Sequence, residues 1–258
     1  MSAHEVHSFL VGCHIVAGAT GAIAFWAPVI GKKGGAVHKM AGRVFVWAMV
    51  TVGLFAVGMS LTTLYAPVET HPDFDFPEPV LRAVFGWMML YLAILTINLA
   101  WYGRACVLNK NRHEANRHWA NLALQGALLV AAANTAVRGV GMGEPLLAAF
   151  SLVGFATVAT NCFFIFSKAP TAFAWLREHL KGLVGAGISV YTAFFAFGAV
   201  RLAPDLALSP LLWAAPLTIG LAIILWHWRQ IGRRQTAQDA SPRRASTPRG
   251  AATGVAAS

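Results

Sequence analysis

The chain has 258 residues, 57% hydrophobic and 12% charged, with 20 Lys plus Arg against 10 Asp plus Glu, a net charge of +10 and a mean hydropathy of +0.59. A soluble domain carries about 25% charged residues, so half the usual polar surface is missing and lipid is the expected solvent. No soluble catalytic domain fits beside six or seven membrane spans of about 20 residues each. Cys13, Cys106 and Cys162 are scattered, which supports neither a disulfide framework nor a cysteine zinc site.

Apolar stretches bounded by charges or turn residues fall at about 8–30, 41–64, 81–103, 119–141, 145–167, 182–203 and 208–229. Each is long enough to cross roughly 30 Å of hydrocarbon as a helix. Uninterrupted runs of this length exclude the short alternating segments of a barrel. The expected fold is therefore an all-α, polytopic membrane bundle of seven helices over 1–230. Residues 231–258, rich in Arg, Ser, Pro, Ala and Gly, read as a disordered basic tail. The first run lacks a basic leader and is followed by Lys32 and Lys33, so it reads as a permanent span rather than a cleaved signal.

Charge placement sets the expected orientation, because Lys and Arg near span ends stay in the cytoplasm. Segments 31–43, 102–118, 168–181 and 229–258 hold 17 of the 20 basic residues. Only Arg82, Arg138 and Arg201 lie elsewhere, together with seven of the ten acids. That predicts an outer N-terminus and a cytoplasmic C-terminus. Trp26, Trp101, Trp119, Trp226 and Trp228 fall at the predicted inner ends, where an indole prefers the interface. The segment 66–79 is acidic and carries Pro67, Pro72, Pro77 and Pro79, which predicts an irregular outer loop.

Nine histidines are many for a membrane protein, and imidazole ligates both metals and haem. His38, His118 and His179 each open an inward-starting helix just after a basic loop, and His227 closes the seventh at the same level. His14 lies about 9 Å deep from the other face at about 1.5 Å per residue, with Gly18 and Gly21 on its stripe. That small-residue stripe admits either a neighbouring helix or a flat macrocycle. Interfacial histidines also cap helices and anchor headgroups, so each has a bland reading beside the ligand one. Arg138 and Arg201 occupy matched outer depths, suited to propionates, a phosphate or a carboxylate, or to snorkelling.

The run His14-Ile-Val-Ala-Gly18, followed by His38-Lys-Met-Ala-Gly42-Arg43 and later Asn116-Arg117-His118-Trp119, resembles a family of bacterial multi-pass membrane proteins known only as a domain of unknown function. That family's pattern is His-x3-Gly, then His-Arg-x2-Gly-Arg, and the resemblance covers about residues 10–140. This chain departs from it with Lys39 in place of Arg, and with Ala-Asn-Leu after Trp119. The resemblance implies a bacterial inner-membrane location and brings no activity. A more distant likeness, by layout only, is to the ascorbate-reducible di-haem cytochromes b.

Three functions follow as expectations. In the first, a b-type haem is held on the cytoplasmic side by two of His38, His118 and His179, with Arg43 or Arg117 on its propionates, and passes electrons to a redox partner or quinone. His14 would serve an outer haem but has no partner at its depth. In the second, His38, His118 and His179 form a three-histidine zinc site of a membrane hydrolase, with Glu178 as base. The third is a cofactor-free transporter or assembly subunit, with a weak break at Pro216. No nucleic-acid module or phosphate loop is present, and the basic balance is explained by inner loops and tail. Oligomeric state and substrate are not encoded in any motif.

Overall fold

A computed structural model describes residues 1–195 and 210–240, all helices and loops. Seven long helices follow in chain order: α1 (Ala3–Ile30), α2 (Ala36–Tyr65), α3 (Glu78–Leu108), α4 (Trp119–Met142), α5 (Pro145–Ile165), α6 (Ala174–Ala193) and α7 (Pro210–Ala240). Among the described residues, five helices are long and apolar enough to cross a membrane: α1, α2, α3, α4 and the Leu147–Ile165 part of α5. The end of the expected sixth span, with Arg201, lies outside the described residues, as does the tail beyond Ala240. Helix α7 runs through 231–240, past the expected start of that tail, on a stretch rich in the helix formers Arg, Gln and Ala.

Local chemistry explains the helix ends. Ser2 and Glu5 form a reciprocal capping box at the start of α1. Gly34 (φ 75°) turns the chain between α1 and α2, and Gly143 (φ 68°) stops α4 in the left-handed region that favours glycine. Pro145 then opens α5 at a position that needs no N–H. Near its start α3 widens into a π-helical stretch, Arg82–Met88. Arg82 there reaches both Glu78 and the Leu64 carbonyl at the end of α2.

The helices form a ring in which α1 packs on α2, α2 on α3, α3 on α6, and α6 touches α1. The α4–α5 hairpin lies against the far side of α3, and α7 lies against α6. Phe25, Phe45, Met49, Tyr91, Leu95 and Leu128 belong to the main apolar core. Two close approaches set the ring. A Cβ built at Gly182 on α6 would lie 2.8 Å from the Gly103 Cα of α3, and one at Gly187 would lie 2.3 Å from Phe25 of α1. Small residues let backbones meet where lipid offers no hydrophobic drive.

The polar interior is concentrated. Asn161 of α5 donates through Nδ2 to Asn98 Oδ1 of α3 and to Gln125 Oε1 of α4, 3.2 Å each, in a fully buried amide cluster. The basic end of the bundle holds Lys32, Lys33, Arg43, Arg104 and Arg117, and the acidic end holds Glu5, Glu69, Asp73 and Asp75. The Arg104 guanidinium lies over the Trp47 and Trp101 rings at 5.5 and 5.9 Å.

The loop at the acidic end departs from the expected irregular segment. Pro67–Thr70 forms a helical turn. Glu69 accepts the N–H groups of Ala3 (2.9 Å) and His4 (3.4 Å), capping α1 from across the fold, and His71 lies 4.5 Å from the Phe85 ring. Prolines set this segment's local conformation, but its long-range partners decide its order.

Candidate functional site

At the basic end, two expected ligands are each held by a carbonyl of a neighbouring helix. His38 enters on the first turn of α2, and its Nδ1 lies 3.3 Å from the Pro28 carbonyl, one of the last carbonyls of α1. His179 enters on α6 where the Gly103/Gly182 approach brings α3 near, and its Nδ1 lies 2.9 Å from the Gly103 carbonyl. Helix α6 begins at Ala174, earlier than the expected 182, so Arg177, Glu178, His179 and Lys181 belong to its first turns. Hydropathy places the start later because those four residues are polar. Their polarity is met by tertiary partners that a linear window does not contain.

The hydrogen-bond partners determine the tautomers. A carbonyl oxygen only accepts, so a neutral imidazole bonded to it through Nδ1 carries its hydrogen there and keeps a bare lone pair on Nε2. His38 and His179 are both of this kind, and so is His14, whose Nδ1 lies 3.1 Å from the Val52 carbonyl of α2. A ring nitrogen fixed on a carbonyl, with the other left as donor of electrons, is the arrangement that orients metal-binding histidines. His118 is the opposite. It caps α4, and its Nδ1 accepts the Ala120 N–H at 3.3 Å, which places the hydrogen of the neutral ring on Nε2. Its ring lies 5.7 Å from Trp119, and no described contact joins it to His38 or His179.

The remaining expected residues divide in the same way. The Arg117 side chain is spent on the end of α5, donating to the Ile165 carbonyl at 3.2 Å and the Ser167 carbonyl at 3.5 Å. Arg43 has no hydrogen bond or ion pair among the described residues. It lines a shallow groove of about 460 Å³ with Ala17, Thr20, Trp47, Ala48 and Thr51. Arg138 is held by Asn134 Oδ1 (2.6 Å) and the Trp87 ring (4.5 Å). The stripe beside His14 is taken by α2, since a Cβ at Gly21 would lie 2.9 Å from Met49 Sδ. His227 is within electrostatic reach of Lys33 and Arg234.

Glu178 is committed as well. Its Oε2 accepts the Tyr102 hydroxyl at 2.6 Å and pairs with Lys181 Nζ at 2.5 Å, and Lys181 also reaches Thr160 Oγ1 at 3.0 Å. Tyr102 is fully buried, so this network ties α3, α5 and α6 at the same level as His179. Composition alone misses it, because Tyr102 sits in an apolar run and Thr160 in another helix. Among the described residues, no group of three or more His, Cys, Asp or Glu side chains is placed to hold a metal ion.

At the acidic end His7 packs against α2 with Nδ1 2.9 Å from Thr62 Oγ1, and its ring centroid is 5.1 Å from that of His71. Burial holds the His71 imidazole below its ordinary value, against the raising effect of a hydrogen bond with the Pro67 backbone. No family model, no curated protein and no solved structure matches the chain.

Proposed function

We propose that the chain is a seven-span protein of a bacterial inner membrane, N-terminus outside and C-terminus in the cytoplasm, which holds a b-type haem at its basic end for electron transfer. The observation that carries the reading is the shared tautomer of His38 and His179: two imidazoles, each pinned through Nδ1 to a carbonyl, on helices of one ring. Low-spin b-type haem takes two imidazole nitrogens. The donor chemistry therefore fits the group, and Arg43, a guanidinium on the same helix as His38 with no partner among the described residues, suits its propionates.

When bound, the haem supplies one-electron transfer, with a quinone or a redox protein as the natural partner. His38 and His179 would hold it, and the carbonyls of Pro28 and Gly103 would fix the orientation of both rings. The Tyr102–Glu178–Lys181 network holds the first turns of α6 in place, and with them His179. His118 and Arg117 serve the helix ends they cap and lie outside this ligand set. His14 has the same free Nε2 at a level about 21 Å away along α1, from the fourteen-residue separation of His14 and Pro28 at about 1.5 Å per residue. Orientation is supported by the segregation of basic residues alone.

The test is a visible spectrum of the chain purified in mild detergent from haem-replete cells, before and after dithionite. A Soret band that sharpens on reduction, with an α band, is expected. His38→Ala and His179→Ala should each remove it while His118→Ala keeps it. A colourless wild-type protein, or a full haem content in both His38→Ala and His179→Ala, overturns the reading. Reporter fusions at residues 34 and 72 test the orientation, with only the former expected to be cytoplasmic.

A further inference from the structure

We infer that the acidic end carries a separate metal site, in which His7 and His71 bind Zn2+ or a divalent cation of like borderline character. The argument begins with the two threonines that hold these rings. Thr62 donates its hydroxyl hydrogen to the Met59 carbonyl at 2.8 Å, so its oxygen receives the His7 Nδ1 at 2.9 Å as an acceptor. Thr70 likewise donates within its own helical turn, to the carbonyls of Ala66 (2.9 Å) and Pro67 (3.1 Å), and its oxygen faces His71 Nδ1 at 3.0 Å. A hydroxyl has one hydrogen to give. With each hydroxyl hydrogen on its carbonyl, both imidazoles carry their hydrogen on Nδ1 and a lone pair on Nε2.

The two imidazoles lie side by side, 5.1 Å between centroids and tilted by 59°. That spacing matches one coordination geometry. A zinc–nitrogen bond is about 2.0–2.1 Å, and the imidazole centre lies about 1.1 Å behind the nitrogen, so two rings at the tetrahedral angle have centroids about 5 Å apart. Opposite ligation across a haem would put them about 6 Å apart. The pair therefore suits adjacent positions on a tetrahedral ion and not the two faces of a haem, which separates it from the proposal for the basic end.

The surroundings agree. His71 is braced against Phe85 at 4.5 Å and Phe74 at 5.8 Å, and His7 is buried against α2. Each has the hydroxyl partner that fixes a ligand ring. Of the carboxylates at this end, Glu69 is engaged on the α1 N-terminus and Glu5 on the Ser2 N–H at 2.8 Å, while Asp73 and Asp75 follow His71 in the loop. With two protein ligands, water fills the remaining positions, so the site is open and exchangeable, unlike a closed structural one. Closing it ties the 66–77 loop to α1.

Equilibrium dialysis of the untagged full chain in detergent against Zn2+, with bound metal counted, tests the site together with X-ray absorption at the zinc edge. One zinc per chain at micromolar concentrations, with two imidazole neighbours in the edge spectrum, is expected. His7→Gln and His71→Gln, which keep an N–H for the threonine oxygens, should each weaken binding by at least about tenfold, while His118→Ala leaves it unchanged. Melting curves identify the folded variants, and His71→Gln, which lies in a loop, decides the matter if His7→Gln fails to fold. No zinc bound by the wild type at 1 mM, oxygen neighbours only, or full affinity in a folded His71→Gln overturns the assignment.

Discussion

Replacing Gly182 by alanine places one methyl group where two helices have no room for it. The added Cβ would lie 2.8 Å from the Gly103 Cα, 2.8 Å from the Leu99 carbonyl oxygen and 2.9 Å from the Gly103 nitrogen, all backbone atoms that cannot rotate away. Non-bonded carbons settle at about 3.5–4.0 Å, so α3 and α6 must part by about 1 Å at this level. His179 sits one turn earlier on α6, and its 2.9 Å hydrogen bond to the Gly103 carbonyl would stretch beyond about 3.5 Å and be lost. That loss costs about 1 kcal/mol, and the forced separation about 1–3 kcal/mol more. The midpoint of thermal unfolding in detergent should fall on the order of 10 °C. Gly126→Ala is the control, because nothing lies within 4 Å of its added Cβ. That change should leave stability equal or higher by about 0.5–1 kcal/mol. Equal melting of the two variants would refute the account of the crossing.

Lys181→Met removes the cation from a half-buried pair and leaves the Glu178 carboxylate with the Tyr102 hydroxyl alone, which should cost about 3 kcal/mol. The double variant Glu178→Gln with Lys181→Met should recover most of that loss in the same melting assay. Glu69→Ala uncaps α1 from a distance; stability should drop by about 1 kcal/mol and amide exchange should rise at Ala3 and His4, with no change at the basic end. Arg138→Gln gives up the Trp87 face and shortens the reach to Asn134, and should cost about 0.5–1 kcal/mol, read as a melting shift.

Five of the expected spans are visible in the chain as runs of apolar residues, because a helix in lipid must satisfy its backbone internally and shield it with apolar side chains. The start of α6 was not legible. Arg177, Glu178, His179 and Lys181 read as a loop until Tyr102, Thr160 and the Gly103 carbonyl, all far away in sequence, are brought beside them. The histidines show the same limit. Spacing gives depth along a helix and says nothing of the direction around it, so His38, His118 and His179 look equivalent in the sequence. Only the fold separates two rings that donate to carbonyls from one that caps its own helix. The His7–His71 pair joins a helix start to a loop 64 residues later, a distance no local pattern spans. Thr62 and Thr70, whose hydroxyls face the two rings, carry no signal in the sequence at all.

The amides of Asn98, Gln125 and Asn161 also bear on how the chain enters its membrane. Taken singly, each of the three helices carries into hydrocarbon a group that wants water, and each would gain by waiting at the translocation channel. One Asn161 side chain serves both of its neighbours, while Asn98 Nδ2, Gln125 Nε2 and Asn161 Oδ1 stay buried without a partner among the described residues. Asn98 of α3 and Gln125 of α4 thus meet a shared partner only where α5 joins them. The unit that shelters these amides is the three-helix assembly and no single helix.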